Sequence, residues 1–231
     1  MRTNYFLCIF SMALVLSTPN FAYALMPFHA SYQFIYNEKN LGTAVRSLEK
    51  QPDHAWKYTF HVNAGALAAA SESSSFILQN HQIQSISFSR TSRLLFQNNL
   101  LSITFMPDQK QIEATKAAEK NVFEWQPNAL DELNAEIQVR EDLQSSGLKN
   151  NYLIADAKGL DSRKFINAGS ENITTPYGNF ATIKVRLEHG DPNKNTIFWL
   201  APKLDYAPVK VTHNDGSNSY GLLLTNYKAS K

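Results

Sequence analysis

Cysteine is nearly missing from this chain: Cys8 is the single one among 231 residues. It falls inside an N-terminal apolar segment, and removal of that segment on export leaves no thiol at all. Disulfides, thiolate metal sites and cysteine nucleophiles are then excluded together. Long apolar runs are lacking too, since nothing after that segment approaches the ~20 apolar residues of a membrane-spanning helix. Charge is balanced, with 22 Lys and Arg against 20 Asp and Glu and no cluster of either. That balance argues against nucleic acid and against an anionic membrane surface as partners. Glycine is scattered: Gly159, Gly169, Gly178, Gly190 and Gly216 read as isolated turn residues. No phosphate-cradling loop and no G-x-S-x-G nucleophile elbow is present.

Metal-ligand spacing is absent as well. None of the six histidines falls in an H-x-H or H-E-x-x-H pattern. His189-Gly190-Asp191 and His213-Asn214-Asp215 come nearest, and both read as turns, where Asp, Asn and Gly serve the backbone. His29 and His61 fall on the polar side of their segments. The helix-region acids Asp131, Glu132, Glu136, Glu141 and Asp142 read as solvated residues. No cofactor or metal is expected.

The N-terminus reads as a secretory signal peptide over residues 1–24. Arg2 supplies the positive start, Leu7 to Leu16 the apolar core, and Ala22-Tyr23-Ala24 the small residues of a cleavage site. Cleavage after Ala24 would leave residues 25–231 as a single β-rich domain, without a transmembrane segment, located in the periplasm. A domain of that length buries a sizeable core without covalent staples.

Aromatic residues make up 12% of the chain, with 14 Phe and 10 Tyr, which suits strands. Period-two alternation is clear at Phe28, Ala30, Tyr32, Phe34 and Tyr36, and again at Trp56, Tyr58, Phe60 and Val62. It marks strands with one buried face. Further strands are expected at 74–79, 83–90, 93–97, 100–106, 110–115 and 120–125. Beyond the helix they are expected at 151–155, 163–168, 171–174, 179–188, 195–200, 207–213 and 219–228. Turns at Asn37 to Gly42, Pro107-Asp108 and Asp215-Gly216 favour an antiparallel meander. Between residues 128 and 146, Leu130, Leu133, Ile137 and Leu143 recur near helical spacing. Asn128 with Asp131 resembles a cap and Gly147 a stop, so one amphipathic helix is expected near 129–146. The small-residue stretch 64–75 reads as a tight connection against the sheet, or as a gate over a cavity.

Several clusters resemble a family of exported bacterial proteins known as a domain of unknown function, DUF3108. They are Tyr32 and Tyr36 followed by Gly42, then Phe123-Glu124-Trp125, and Asp131-x-Leu133 opening the helix. Farther on come Thr175-Pro176-Tyr177-Gly178-Asn179-Phe180, and Trp199-Leu200-Ala201-Pro202 with Pro208-Val209-Lys210. The resemblance implies a periplasmic, β-rich protein and brings no activity or catalytic residues.

The expected fold is mainly β: a strongly curved antiparallel sheet, half-barrel or barrel-like, with the helix on its concave side or across one mouth. Tyr32, Phe34 and Tyr36, Trp56, Tyr58 and Phe60, and then Phe88, Phe105, Trp125 and Trp199 are the candidate wall of an apolar cavity, with Phe96 and Phe123 in the same aromatic set. Trp199 can line a pocket, but a core tryptophan of the sheet is the commoner fate of such a residue. The leading functional expectation is a non-enzymatic periplasmic carrier or binding protein for an apolar or lipid-like molecule. The alternative is an envelope interaction or assembly factor that binds a protein or polymer. A hydrolase with an unrecognised site comes third.

Overall fold

The computed structural model describes residues 25–65, 68–94 and 97–230. The expected signal peptide and Phe96 lie outside the described residues.

The first half is a meander of eight antiparallel strands. It runs β1 (Phe28–Tyr36), β2 (Lys39–Lys50), β3 (Ala55–Asn63), β4 (Ala68–Gln79), β5 (Gln82–Leu94), β6 (Gln97–Met106), β7 (Gln111–Lys116) and β8 (Glu119–Glu124). The helix α1 (Asn134–Gln144) and a small hairpin, β9 (Tyr152–Ala155) with β10 (Leu160–Arg163), follow. A second meander comprises β11 (Phe165–Thr175), β12 (Gly178–Leu187), β13 (Asn195–Ala201), β14 (Ala207–Asn214) and β15 (Ser219–Ala229). Pairing of β15 with β1 joins both meanders into one thirteen-stranded antiparallel sheet, and β8 and β11 end it without pairing to each other. The expected mainly-β, antiparallel architecture with one helix is therefore present among the described residues.

Local chemistry sets the turns. Asn37 and Glu38 both take positive φ, 44° and 66°, and Asn80 and His81 take 52° and 60°. These are the left-handed pairs of two-residue hairpins, where Asn is favoured. Along the strands Phe28, Ala30, Tyr32 and Phe34 are buried, as are Ala44, Arg46 and Leu48 on β2. These residues share the inner face. His29 and His61 are exposed on the other face.

The stretch 64–75 is not a connection: from Ala68 onward it is β4, paired with β3 on one side and β5 on the other. Its small side chains suit a central strand crossed closely by its neighbours. Strand β2 was not foreseen, because apolar residues sit on both its faces and an arginine on the inner one. The strand expected at 93–97 is instead the end of β5 and the start of β6.

Helix α1 begins later than expected, and Asp131 rather than Asn128 caps it. The Asp131 Oδ1 accepts from the Leu133 and Asn134 N–H groups, and Asn134 Oδ1 accepts from the Asp131 N–H, a reciprocal box. The Gly147 N–H closes the other end on the Asp142 carbonyl at 2.7 Å. Nine of the eleven helix residues are buried, among them Asn134, Glu136, Gln138, Arg140, Glu141 and Asp142. The acids expected in solvent are thus inside, apart from half-buried Glu132. Each meets a partner from the sheet or the hairpin. Ser74 donates to Asp131, Tyr58 to Glu136 and Tyr152 to Asp142, while the His81 ring bonds Glu141. Gln138 reads the sheet backbone, accepting from the Ile83 N–H and donating to the His81 carbonyl.

The same helix touches both halves of the sheet. Its side chains bond residues of β2, β3 and β5, and Arg140 bonds Asp205, between β13 and β14. Strands β5 and β14 are six places apart in the sheet, roughly 29 Å if it were flat. A helix about 10–12 Å across reaches both only because the sheet curls around it.

One glycine is held by space rather than by φ. A Cβ on Gly42 would lie 2.0 Å from the Asn63 carbonyl oxygen and 2.9 Å from the Ala64 Cα, both backbone atoms. Gly42→Ala is therefore expected to destabilise the protein by about 1–3 kcal/mol, read as a lowered urea midpoint with an unchanged m value. An unchanged midpoint would show that β3 yields there at no cost.

Candidate functional site

Inside the curl, beside the helix, lies an open cleft of two chambers. The outer one measures about 550 Å³ and draws its wall from β1 to β6 on one side and β13 to β15 on the other. Phe34, Val62, Ala70, Phe198, Val211 and Leu222 make it largely apolar. Alternation explains this, since each is an inner-face residue of its strand. The inner chamber measures about 260 Å³ and reaches Leu133 and Glu136 beside the helix, and Ile154 and Phe165 beyond it. Both chambers share Arg46, Phe60, Glu72, Arg90, Thr196, Phe198 and His213, whose polar members form a waist between them.

The waist is charged but closely paired. Arg46 Nη1 donates to Glu136 Oε2 at 2.6 Å and to the Tyr58 hydroxyl at 2.9 Å, and that hydroxyl donates to Glu136 Oε1 at 2.6 Å. The guanidinium also sits 4.6 Å over the Phe60 ring. Burial works against its charge, and Glu136 together with Tyr58 and Tyr32 outweighs it, so its pKa is raised. Burial lifts the Tyr58 hydroxyl well above its ordinary value, which keeps it a donor. Arg90 lies between Glu72 and Glu132, bonding both, with its guanidinium 5.3 Å over Phe88.

Across the cleft the Thr196 hydroxyl lies 2.8 Å from His189 Nε2 and 2.7 Å from His213 Nδ1. One hydroxyl proton serves one ring, so the other ring donates to the threonine oxygen. Burial lowers both histidine pKa values from 6.5, and the two rings, 5.7 Å apart, also disfavour each other's charge at His189. Both imidazoles are neutral at neutral pH.

The structure distributes the candidate wall residues as follows. Phe34 lines the outer chamber and Phe60 both chambers. Trp56, Phe88 and Phe105 are packed core. Tyr32 is buried and donates to the Pro208 carbonyl at 2.9 Å, while Tyr58 belongs to the Arg46–Glu136 pair. Tyr36 is half-buried, bonds Asn218 and packs on Tyr220. Trp125 is half-buried and its N–H bonds the Lys110 carbonyl.

Trp199 points away from the cleft. Its strand neighbours Thr196 and Phe198 face inward, so Trp199 faces outward, between Lys184 and Lys210, with its Nε1 donating to Glu171 at 2.8 Å. The outer half of β12 leaves β13, which pairs only with Ile183 to Leu187. With β11 it forms a flap whose tip bonds β15 through Tyr177 and the Tyr227 carbonyl.

The polar waist is what the sequence did not disclose. Arg46 stands on β2, where no alternation marks a strand. His213 lies on β14 rather than in a turn, and it meets His189 only through register, since Thr196 pairs with Leu187 on one side and His213 on the other.

The family described as "Protein of unknown function (DUF3108)" matches residues 31–225. No curated protein sequence matches this chain. Among solved structures, a beta-barrel-like protein of the domain of unknown function DUF1849 from Brucella abortus is similar, at TM-score 0.58 and 9% identity, covering 90% of this chain and 99% of that one. It supports the barrel-like fold alone. A crystal structure described as a "putative lipoprotein" from Parabacteroides distasonis aligns at TM-score 0.31 and 12% identity over 88% of this chain and 96% of that one. That similarity is too low to support a conclusion.

Proposed function

The chain belongs to the DUF3108 family of proteins of unknown function, and we propose that it is a non-enzymatic periplasmic carrier or binding protein for an apolar or lipid-like molecule. The observation that carries this reading is the outer chamber. It is open, mainly apolar and about 550 Å³ in volume, within the roughly 300–1,000 Å³ of small-molecule sites. The periplasmic location rests on the signal-peptide pattern of residues 1–24. Binding is favoured over catalysis because the waist carboxylates Glu72, Glu132 and Glu136 are each tied to an arginine. No helix among the described residues is long and apolar enough to cross a membrane.

Exporting the full chain in a Gram-negative host, then extracting the purified protein with solvent for mass spectrometry, tests the reading. A stoichiometric apolar compound is the expected result. Ala70→Trp fills the chamber from a half-buried β4 position. It is expected to weaken uptake of a fluorescent acyl probe at least about tenfold, which is ~1.4 kcal/mol, with little change in Tm. An empty extract, together with probe uptake that Ala70→Trp does not alter, would refute the carrier reading.

A second reading, an envelope interaction factor, draws on the open sheet. Strand β8 ends it with an unpaired edge and an exposed Val122, and such an edge can accept a partner strand. That reading expects an empty cleft in the same extraction.

A further inference from the structure

We propose that the cleft takes a single-chain amphiphile with an anionic head, carboxylate or phosphate, seated at the waist against Arg46 with its chain in the outer chamber. This rests on the carrier reading and adds the ligand's chemical class.

The buried donors of the waist point to an acceptor. Among the described residues three buried side-chain nitrogens have no hydrogen-bond partner: Arg46 Nε, Arg140 Nη1 and Gln144 Nε2. Of these residues only Arg46 lines the two chambers. It is 6% exposed, and its bonds to Glu136 and Tyr58 both leave from Nη1. That Nε is closed off from the cleft, whereas Nη2 makes no hydrogen bond among the described residues and is not closed off, so Nη2 is the guanidinium nitrogen a ligand oxygen would meet.

The acceptors, by contrast, are already engaged. Both Glu136 oxygens accept, one from Arg46 and one from Tyr58, and Glu72 and Glu132 accept from Arg90. Charge agrees with this. Over both chambers Arg46, Arg90, Arg93 and Arg163 face Glu72, Glu132 and Glu136, and in the outer chamber the three arginines face Glu72 alone. A cationic head would be desolvated beside two arginines. A lone hydroxyl head would accept from Arg46 but brings no negative charge of its own and no second oxygen for a bidentate pair. Phe60 and Phe198 flank the waist and continue into the apolar chamber, so a head placed there leads its chain onto apolar walls.

Titration calorimetry with dodecanoate, dodecyl phosphate, 1-dodecanol and dodecyltrimethylammonium tests this on the exported protein. The expected result is that one or both anionic compounds bind at least about tenfold more tightly than 1-dodecanol, and the cation most weakly. Preference between dodecanoate and dodecyl phosphate tells a fatty-acid head from a phospholipid-type head. Arg46→Lys keeps a charge facing Glu136 but removes Nε and the guanidinium fork. It is expected to erase the anionic preference, bringing dodecanoate and dodecyl phosphate down to the affinity of 1-dodecanol for the same variant. The paired variant Arg46→Met with Glu136→Gln, which removes both charges together, should do the same. Equal binding of dodecanoate, dodecyl phosphate and 1-dodecanol to the unaltered protein overturns the head-group inference and leaves the carrier reading standing. Failure of every chain compound to bind overturns both.

Discussion

Arg140→Ala is expected to lower the unfolding free energy by about 3–5 kcal/mol, the range for breaking a buried ion pair. Arg140 is fully buried on α1. Its Nε and Nη2 donate to the Asp205 carbonyl at 3.0 and 2.9 Å, Nη2 approaches the Asp205 carboxylate at 3.5 Å, and the guanidinium lies 4.9 Å over the Phe28 ring. Truncation leaves the carbonyl without these donors, opens a cavity against Phe28 and removes the cation nearest a carboxyl group already raised in pKa by burial. The helix's other bonds run mainly to β2, β3 and β5 and to the small hairpin, so Arg140 is the tie to the second meander. For a chain of this size Tm should fall by roughly 6–20 °C. Arg140→Met restores most of the volume without donors and should recover only part of the loss. Urea unfolding of both variants measures this, and a loss below about 1 kcal/mol for alanine would show that the helix is not the tie.

Strands were legible where one face is apolar and the other polar. Residues 28–36 and 56–62 announce β1 and β3 because His29, His61 and Lys57 alternate with aromatics. Strand β2 hides for the opposite reason: Leu41 and Val45 lie on one face and Ala44, Arg46 and Leu48 on the other, so no period emerges. The second half of β4 is the strand expected at 74–79, but its first half is mostly alanine and serine with little contrast in size, and only pairing with β3 and β5 defines it. The helix was visible through its leucines and its glycine stop. Its buried acids were not, because their partners Arg46, Tyr58, Ser74 and His81 lie between 57 and 90 residues away in sequence.

The cleft was legible only as an aromatic inner face. Which aromatics pack as core and which line space depends on how tightly the sheet curls. That in turn follows from the helix inside it. Phe34 and Phe60 face the opening where the helix has ended, whereas Tyr58, two residues from Phe60 on the same face, is covered by Glu136. Trp199 lies outward because the register of β13 turns Thr196 and Phe198 inward, a parity that its aromatic character does not reveal.

Stability should also fall as pH rises through neutrality, and one carboxyl group should account for most of it. Burial raises the pKa of Asp131 from 3.8 to about 7, against the opposing hydrogen bonds from Ser74, Asn134 and Leu133. Its folded pKa exceeds its unfolded one, so its stabilising contribution is complete below about 3.8 and is lost as pH climbs through about 7. Between about pH 5.5 and about pH 8.5 the loss is on the order of 2 kcal/mol. Glu141 and Asp205, also raised by burial, act in the same direction. His189 and His213 act oppositely: lowered from 6.5, they favour the folded state above that pH and withdraw support as acid charges them in the unfolded chain. The buried tyrosines Tyr32, Tyr58 and Tyr152 are raised from 10.0 and titrate above this window. Asp131→Asn separates the contributions. Asparagine is an equally good helix cap and keeps an acceptor for the Leu133 and Asn134 N–H groups, while Ser74 can turn to accept from its amide. Denaturant unfolding should show the unaltered protein losing stability across that window and the variant nearly flat above about pH 6.5. Parallel curves for the two proteins would mean that Asp131 stays ionised in the fold, held by its three donors, and that the alkaline loss arises elsewhere.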